Sequence, residues 1–558
     1  MKLVKKLVMS SMLMFVLLIA MSLSVEAASI TWPHSPNEEA DKTWTISFSK
    51  PVNRTTVNSN TVYITDSLGV RQTNSFAFSN SDTFVHIAAP SGGYRHAETY
   101  TLHITQGVKN SDGKALKEYV TKTFTIKAEL TYDVINVKQD GTTSLVAKYS
   151  TFEDASHRMQ STQAVSYQGK IIHMPAGLVS TKSFGSSSIT ILHSDKLLKK
   201  EVTYVPADSE LMYVDSTDAY VEVELAGVNY FIKQENSRLL PSQTIKDRSY
   251  YYVRNGSLFH SIYRHTAARY GTYEMGVAPT FMQEGLKYFS TDGSHFSNEA
   301  GQAVGTAYQY FQYLPLRSET RYTAAELDAY ILKRLQELEK AYPNSPTYRN
   351  ATTKSKLLGL GTELKRIEAT SHVNAMHILA LAQHESIYGL SDYAQKYNNL
   401  FGLYVNDDRP KIVYFETVGQ NIEELLNAFL NKNYLPPNAK YANGINFGNK
   451  AVGVNVKYAS DPYWGSKIAG HMYRMDRMMG GKELANPEKI GLSNTVNLNV
   501  RRDPNTSRTP AYTYAKTGMP FIILDDQLSA KPWMKVRSDS VPYEELYVHG
   551  DYVDKLTW

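Results

Sequence analysis

Residues 372–402 read HVNAMHILALAQHESIYGLSDYAQKYNNLFG, and this stretch decides the fold of the helical part of the chain. Asn374 can cap a helix, because its side chain accepts hydrogen bonds from the free N–H groups of the first turn. The residues that follow it at helical spacing are Ala375, Ile378, Leu379, Ala382 and Ser386. This spacing predicts a helix with one face packed against a core. We expect Gly389 to end the helix.

Glu385 lies on the same face as Ile378, at the end of the predicted helix. Burying a carboxylate as a charge is costly, so we expect desolvation to raise the pKa of this side chain. A general acid that works near neutral pH needs such a raised pKa. A solvated residue at a frayed helix end is the plainer interpretation, and for a lone Glu it is the usual one.

Three motifs, one that contains Glu385 and two that follow it in the chain, change that interpretation. The pattern Ala-x-x-Glu-Ser-x-x-Gly-x-Ser begins at Ala382 and precedes Tyr-Asn-Asn-Leu-Phe-Gly at residues 397–402, while Tyr-Ala-Ser-Asp follows at residues 458–461. Together they resemble the catalytic signature of glycoside hydrolase family 73, the bacterial N-acetylglucosaminidases of the autolysin type. The resemblance implies cleavage of the peptidoglycan glycan strand by a mainly α, lysozyme-like (α+β) catalytic domain with Glu385 as the general acid.

The resemblance also implies roles for other residues. Tyr458 would lie near the scissile bond and either donate a hydrogen bond or stabilise developing positive charge. Phe401 and Trp464 are candidate surfaces on which sugar rings stack. The remaining residues that we predict to bind substrate are Asn399, Gly402 and Asp461.

The second catalytic group is less well defined by the sequence. Glycosidases usually pair two carboxylates, one as acid and one as base or nucleophile. The family often places a second Glu in a β-lobe after the Asn-Leu-Phe-Gly segment, but here the lobe at residues 403–415 is short and carries Asp407 and Asp408. One option is an aspartate base, and we predict Asp408 for this role. The other is attack by the 2-acetamido group of the substrate itself, which needs only one strong acid.

Metal and cofactor chemistry is not indicated. His384-Glu385 invites comparison with zinc proteases, but Tyr388 occupies the position where their motif needs a second His. Only His377 and His384 could share a helix face, and two His without a third ligand make a weak metal site. The chain has no Cys, which excludes thiol catalysis, thiolate metal sites and disulfides. We therefore predict no metal and no cofactor.

Residues 1–27 have the features of a secretory signal peptide, with a basic start, an apolar run and a small-residue cleavage site. The charged residues in this segment are Lys2, Lys5, Lys6 and Glu26. Its removal takes the formal net charge from +5 to +3, since three positive charges and one negative charge are lost. This mild basicity favours an anionic cell wall as partner and is too weak to indicate nucleic acid.

The apolar run at residues 13–23 is too short for a membrane anchor, and no later segment approaches spanning length. We therefore predict a secreted, cell-wall-associated protein without stable membrane insertion. At 558 residues the chain is long enough for several domains.

The N-terminal part of the mature chain, residues 28–127, is predicted to be a β-sandwich. Short strands of alternating apolar residues are separated by turn sequences such as residues 66–69 and 112–114. The predicted strands lie around Trp44, Val62, Phe84, Tyr100 and Phe124. This pattern resembles the bacterial Ig-like modules of S-layer proteins and wall enzymes, and it implies a spacer or binding role.

The remaining modules are predicted as follows. Residues 128–186 have no assigned function, although Thr151 can open a short helix. Residues 187–240 and 490–558 each resemble small β-barrels of the bacterial SH3 type, which implies binding to wall peptides. Residues 250–482 are predicted to be the helical catalytic domain, in which Thr323 and Glu326 form a capping box.

The sequence thus predicts a secreted β-N-acetylglucosaminidase that cuts the β-1,4 bond between N-acetylglucosamine and N-acetylmuramic acid. Its partners would be peptidoglycan and, in addition, anionic wall polymers. A lytic transglycosylase or a muramidase is the alternative among enzymes, because it also uses one Glu at a helix end. A non-catalytic wall-binding protein is the alternative from another class, and the intact Glu385 and Tyr458 argue against it.

Overall fold

The computed structural model describes residues 29–183, 187–405, 413–529, 532–540 and 545–558. These residues form two compact units, 29–130 and 131–558. The predicted signal peptide and the two candidate bases, Asp407 and Asp408, lie outside the described residues. None of the helices within the described ranges combines the length and the apolar character needed to cross a membrane.

The first unit is a sandwich of two β-sheets, which confirms the predicted fold of this region. Its strands are β1 Ser29–Glu38, β2 Trp44–Ser47, β3 Val62–Thr65, β4 Phe76–Ser79, β5 Phe84–Ile87, β6 Thr99–Ile104 and β7 Tyr119–Ile126. One sheet has the order β1-β7-β6-β3 and the other the order β2-β5-β4. The sequence did not indicate β1, because Pro33 and Pro36 cannot donate to a ladder; β1 tolerates them as an edge strand.

The second unit opens with the segment that had no assignment. Strands β8 Tyr132–Val137, β9 Thr143–Tyr149, β10 Gln163–Tyr167 and β11 Lys170–His173 form a sheet of order β11-β10-β8-β9. Helix α1, Phe152–Arg158, lies between β9 and β10, and Thr151 caps it by accepting from the backbone N–H of Asp154.

A seven-stranded sheet follows. Its strands are β12 Gly177–Thr181, β13 Ile189–His193, β14 Glu201–Pro206, β15 Glu210–Ser216, β16 Tyr220–Leu225, β17 Val228–Lys233 and β18 Ser237–Pro241. Their order is β14-β13-β17-β16-β15-β12-β18. The sheet begins at Gly177, upstream of the predicted boundary at residue 187, because β12 pairs with β15 on one side and with β18 on the other. The SH3-like character of this module remains a prediction.

Residues 250–306 form strands, whereas the sequence analysis predicted that the helical domain starts at residue 250. The strands are β19 Tyr250–Arg254, β20 Ser257–Arg264, β21 Arg269–Val277, β22 His295–Ser297 and β23 Ala303–Thr306. Asn255 and Gly256 connect β19 to β20, both with positive φ. An Asn-Gly pair between apolar runs is a strong hairpin indicator, so the prediction for this segment was wrong for a reason visible in the sequence.

The helical part starts at residue 310. Its helices are α2 Tyr310–Tyr313, α3 Ala324–Ala341, α4 Ala351–Lys354, α5 Gly361–Ser371, α6 Ala375–Glu385, α7 Asp392–Tyr397, α8 Val418–Glu424, α9 Trp464–Met478 and α10 Lys482–Ala485. A π-helical stretch, Leu425–Tyr434, continues α8. The capping box of Thr323 and Glu326 is present at the start of α3, as predicted.

The C-terminal module is again made of strands. They are β24 Ile490–Ser493, β25 Leu498–Val500, β26 Tyr512–Tyr514, β27 Pro520–Asp525, β28 Trp533–Arg537, β29 Glu545–His549 and β30 Val553–Lys555. Arg317 ties this module to the helices, because its Nε donates to the backbone oxygen of Asp539 at 3.2 Å. The guanidinium of Arg537 donates to the backbone oxygen of Arg317 at 2.9 Å. An SH3-like fold for this module also remains a prediction.

Candidate active site

Helix α6 is enclosed on all sides rather than along one face. Every residue from Ala375 to Gln383 is buried. A helix that is apolar all round belongs in the interior of a domain, so the apolar stripe read from the sequence understated its burial. Asn374 caps the helix as predicted, and its side chain accepts from the N–H of Met376 at 2.8 Å.

The end of α6 differs from the prediction. The helix stops at Glu385, and Gly389 lies in the turn beyond it. The hydroxyl of Ser386 donates to the carbonyl of Ala382 and accepts from the N–H of Gly389 at 2.7 Å, so this side chain takes over the last hydrogen bonds of the helix. Glu385 is therefore the final helical residue.

The carboxyl group of Glu385 is half-buried and has a specific partner. The indole N–H of Trp464, at the start of α9, donates to Oε1 of Glu385 at 2.7 Å. Burial raises the pKa of Glu385, and the hydrogen bond from Trp464 partly offsets this effect. The raised pKa agrees with the expectation for a general acid.

The ring of Tyr458 packs on the ring of Trp464. The two rings stack with centroids 4.8 Å apart and an interplanar angle of 29°. Tyr434, at the end of the π-helical stretch, packs against Tyr458 at 5.6 Å. Burial raises the pKa of the Tyr458 hydroxyl, and the nearby charge of Glu385 adds to the shift. The structure thus brings Glu385, Trp464 and Tyr458 together from two distant segments of the chain.

Trp464 and Phe401 do not present open rings for sugar stacking. Trp464 is 3% exposed and Phe401 6% exposed, and both belong to the core of the helical part. This burial does not favour the stacking role on sugar rings, which stays a prediction. Trp464 instead orients the carboxyl group of Glu385.

Asp461 is held by ionic and backbone contacts. Its carboxylate forms an ion pair with Lys467 and accepts from the N–H of Tyr463 at 2.9 Å. Burial works to raise the pKa of Asp461, but Lys467 and the backbone hydrogen bond outweigh it and keep the pKa below the ordinary value. Asp461 is therefore a charged group that fixes the start of α9.

The Asn-Leu-Phe-Gly segment forms a tight turn. The side-chain amide of Asn399 bonds to the backbone of Leu403 in both directions, at 3.0 Å each, and the amide of Asn421 donates to it at 3.2 Å. Asn399 is buried, so it shapes the turn instead of facing solvent. Gly402 is exposed, with φ of 61° and open space where a side chain would lie.

The two histidines weighed as metal ligands face different neighbours. His377 is buried against Phe447, and its Nε2 lies 3.2 Å from the carbonyl of Leu314. His384 lies 5.7 Å from His471, ring centroid to ring centroid. Burial lowers the pKa of His377 to about 3 and that of His384 to about 4. Among the described residues no three His, Asp or Glu side chains cluster in a way that could hold a metal ion.

Sequence reasoning missed one buried cation next to the site. Lys450 is fully buried, and its ammonium donates to the backbone oxygens of Asn455, at 3.1 Å, and Ala459. Desolvation lowers its pKa to about 7. A lysine in a polar loop carries no sequence mark that separates it from a surface lysine, so no local pattern could have identified it.

Comparisons with known proteins cover the part of the chain that holds this site. The glucosaminidase family, described as mannosyl-glycoprotein endo-beta-N-acetylglucosaminidase, matches residues 361–477, which include Glu385, Tyr458 and Trp464. A bacterial Ig-like domain family matches residues 28–126.

Two curated proteins from strains of Streptococcus pneumoniae are each named "Putative endo-beta-N-acetylglucosaminidase". Both are 30% identical to this chain over 270 residues, which is 48% of its length. The chain spans 36% and 34% of the lengths of these two relatives.

Among solved structures, the chain is similar to autolysin E of S. aureus, crystallised as a catalytic mutant with the disaccharide NAG-NAM. The identity is 15% and the TM-score 0.21, over 31% of this chain and 76% of that one. The family matches thus cover residues 361–477 with the glucosaminidase model and residues 28–126 with the bacterial Ig-like model.

Proposed function

We propose that this protein is a secreted peptidoglycan hydrolase, a β-N-acetylglucosaminidase that cuts between N-acetylglucosamine and N-acetylmuramic acid. The observation that carries the proposal is the half-buried carboxyl of Glu385, with its raised pKa and its hydrogen bond from Trp464. The glucosaminidase match over the same residues supports the N-acetylglucosaminidase reaction. The names of the curated relatives point to the same class of reaction.

The hydrogen bond from Trp464 places the reactive proton of Glu385. An indole N–H can only donate, so Oε1 acts as the acceptor and the proton of the neutral acid is best placed on Oε2. This proton passes to the glycosidic oxygen as the bond to the leaving sugar breaks. Tyr458, stacked on Trp464, lies beside the acid and stabilises the positive charge that develops on the sugar ring.

The proposal also covers the second catalytic group, which acts as base or nucleophile. Asp461 is engaged by Lys467 and keeps a low pKa, which suits a structural role better than that of a base. Asp408 is our candidate base, and attack by the substrate's 2-acetamido group is the other route. Replacement of Asp408 by Asn distinguishes these two routes, because an enzyme that uses the 2-acetamido group retains its rate in this variant.

The test of the acid is Glu385→Gln in the full chain. Gln has the size of Glu and still accepts the indole N–H, but it has no proton to give. We expect wall lysis to fall by ~10²–10⁴, the usual contribution of general acid catalysis. The exposed Glu299 offers a matched control, and Glu299→Gln is expected to lyse walls at the normal rate. A folded Glu385→Gln protein with normal lysis would overturn the assignment.

The same digests identify the bond that is cut. After borohydride labelling, a glucosaminidase leaves new reducing N-acetylglucosamine ends. New muramic acid ends would indicate a muramidase, and 1,6-anhydro ends a lytic transglycosylase. Absence of any new ends would leave the non-catalytic wall-binding protein as the better explanation.

We further propose that the Ig-like unit contacts anionic wall polymers. A groove of about 360 Å³ in this unit is lined by the lysines Lys50, Lys109, Lys114 and Lys117 and also by Glu118. Its floor is apolar and includes Val52 and Val108. All four lysines are exposed, and Lys50 lies 3.3 Å from Asp112. Clustered ammonium groups over an apolar floor complement a phosphate-bearing polymer.

This anchoring is tested by changing all four groove lysines to Gln and sedimenting the protein with cell walls. We expect several-fold weaker retention, and a salt dependence that the variant has partly lost. A control variant with the same charge change replaces the exposed Lys196, Lys199, Lys200 and Lys333. Equal retention of the two variants would reject a specific role for the groove.

A further inference from the structure

Two side chains of strand β14 reach the segment that carries Tyr458. The hydroxyl of Thr203 donates to the backbone oxygen of Val456 at 2.7 Å. The hydroxyl of Tyr204 donates to the backbone oxygen of Lys457 at 3.1 Å. The same hydroxyl lies 3.4 Å from the backbone oxygen of Tyr458. Neither residue belongs to the region that matches the glucosaminidase family.

Lys450 fixes the same segment from within the helical part. Its ammonium donates to the backbone oxygens of Asn455 and Ala459, which lie on either side of Tyr458 in the chain. It also lies 4.9 Å from the ring centroid of Tyr204. The backbone oxygen of Lys450 in turn accepts from the hydroxyl of Tyr230, on β17, at 3.0 Å. The seven-stranded sheet therefore contacts both this segment and the lysine that fixes it.

The segment has little secondary structure of its own. Residues Val454–Val456 form a single 3-10 turn, preceded by Gly453 with φ of 95°. The backbone oxygens of Val456 and Lys457 are left for partners from outside the segment, and Thr203 and Tyr204 supply them. An unpaired buried carbonyl is costly, so these bonds fix where the segment lies.

The position of this segment sets the position of Tyr458 relative to the acid. Tyr458 stacks on Trp464, and Trp464 donates to Glu385, so a shift of the segment is passed to the carboxyl group. A misplacement of ~1 Å at a catalytic site can cost ~10² in rate.

We propose that Thr203 and Tyr204 are positioning residues of the glycosidase, through which the seven-stranded sheet holds Tyr458 against the acid. This inference rests on the function proposed above. It assigns to the predicted SH3-like module a direct part in turnover, in addition to any binding of the wall.

The test uses the full chain with Thr203→Val, Tyr204→Phe and the double variant. Each change removes one hydroxyl and keeps the shape of the side chain. We expect kcat to fall about tenfold for each single variant, since a buried hydrogen bond of this kind corresponds to roughly that factor, with KM nearly unchanged. Thr203→Ser restores the hydroxyl and is expected to recover most of the rate.

Thr190, on the neighbouring strand β13, offers a matched control. It is as buried as Thr203, and its hydroxyl has no hydrogen-bond partner among the described residues. Thr190→Val is therefore expected to leave kcat unchanged. Thermal melting of every variant shows whether a rate loss reflects unfolding, and the single variants decide the matter if the double variant does not fold.

The possible outcomes separate this inference from the proposed function. An active parent protein, an inactive Glu385→Gln variant and normal kcat in folded Thr203→Val and Tyr204→Phe variants would overturn the positioning role alone. Equal losses of kcat in Thr190→Val and Thr203→Val would overturn it as well. Normal lysis by Glu385→Gln would instead remove the proposed function, on which the positioning role depends.

Discussion

Glu385 and Tyr458 are held at the candidate active site in different ways. Glu385 is the last residue of a helix whose body is buried, so its position follows from the packing of its own helix. Tyr458 lies in an irregular segment whose backbone oxygens are bonded by Thr203, Tyr204 and Lys450. The acid is thus placed by its own helix, and Tyr458 by a few hydrogen bonds, two of which come from another module.

This difference has a consequence for the effect of mutations. Packing in a helix core distributes its contribution over many atoms, so single small changes around Glu385 act mainly on stability. The Tyr458 segment depends on a few directed hydrogen bonds, each of which can be removed alone. We therefore expect substitutions that act on the Tyr458 segment to lower activity more than stability, and small substitutions within α6 to lower mainly stability.

The largest effect that sharpens this comparison is expected for Tyr458→Phe. The change keeps the stacking on Trp464 and removes the hydroxyl beside the acid. Removing one polar group that acts on the transition state lowers kcat by ~10²–10³. Single-turnover digestion of soluble glycan fragments measures the loss. Tyr342→Phe, at an exposed position, serves as the control, and a folded Tyr458→Phe protein with full activity contradicts the role of the hydroxyl.

A smaller effect with a clear sign is expected for Trp464→Phe. The indole N–H lowers the pKa of Glu385, so its loss raises that pKa further. Glu385 then stays protonated to higher pH, so the alkaline limb of the pH–rate profile moves to higher pH. At the optimum pH, kcat falls about tenfold because the carboxyl group loses the hydrogen bond that orients it. Trp533→Phe in the C-terminal module is the control. A limb that moves to lower pH would show that the indole does not act on Glu385.

The smallest effect concerns a second buried acid, Asp539 in the C-terminal module. Burial raises the pKa of Asp539 to about 8, from an ordinary value of 3.8. The folded protein then binds this proton more tightly than the unfolded chain, so the free energy of unfolding falls as pH rises from about 4 to about 8. Asp539→Asn removes this dependence, so the Tm of the variant relative to that of the parent is expected to be several degrees higher at pH 8 than at pH 5.

The Asp539→Asn variant thereby distinguishes the pH dependence of lysis from the pH dependence of thermal unfolding. If the pH dependence of lysis follows Glu385, it persists in Asp539→Asn, whereas the pH dependence of thermal unfolding does not. The hydroxyl of Tyr514 bonds to Oδ1 of Asp539 at 3.0 Å, and an Asn oxygen can accept the same bond. Loss of both pH dependences in this variant would contradict the separation.

Features that arise from neighbouring residues were predictable from the sequence. The helix caps at Asn374 and Thr323, the sandwich of the first unit and the raised pKa of Glu385 follow from local pattern and elementary electrostatics. The hairpin at Asn255-Gly256 was also predictable, but the aromatic run around it was assigned to the helical domain.

Features that depend on tertiary contacts were not predictable. The buried state of Lys450 and the hydroxyl donors on β14 arise from residues distant in the chain, and no spacing rule connects them. The burial of Phe401 and Trp464 likewise depends on tertiary contacts and was not predicted. A resemblance of motifs indicates which residues gather at a site. It does not tell whether an aromatic ring is exposed to substrate or is buried and hydrogen-bonded to the carboxyl group of Glu385.

The bonds from Thr203 to Val456 and from Tyr204 to Lys457 join residues 253 positions apart. A contact that closes so long a loop forms late, because the entropy of the intervening chain is lost before the contact repays it. The sheet and the helices can each fold first, as units of larger proteins generally do. Docking of β14 onto the Tyr458 segment then completes the candidate site, so we expect a refolding chain to acquire its native secondary structure before the activity proposed for that site.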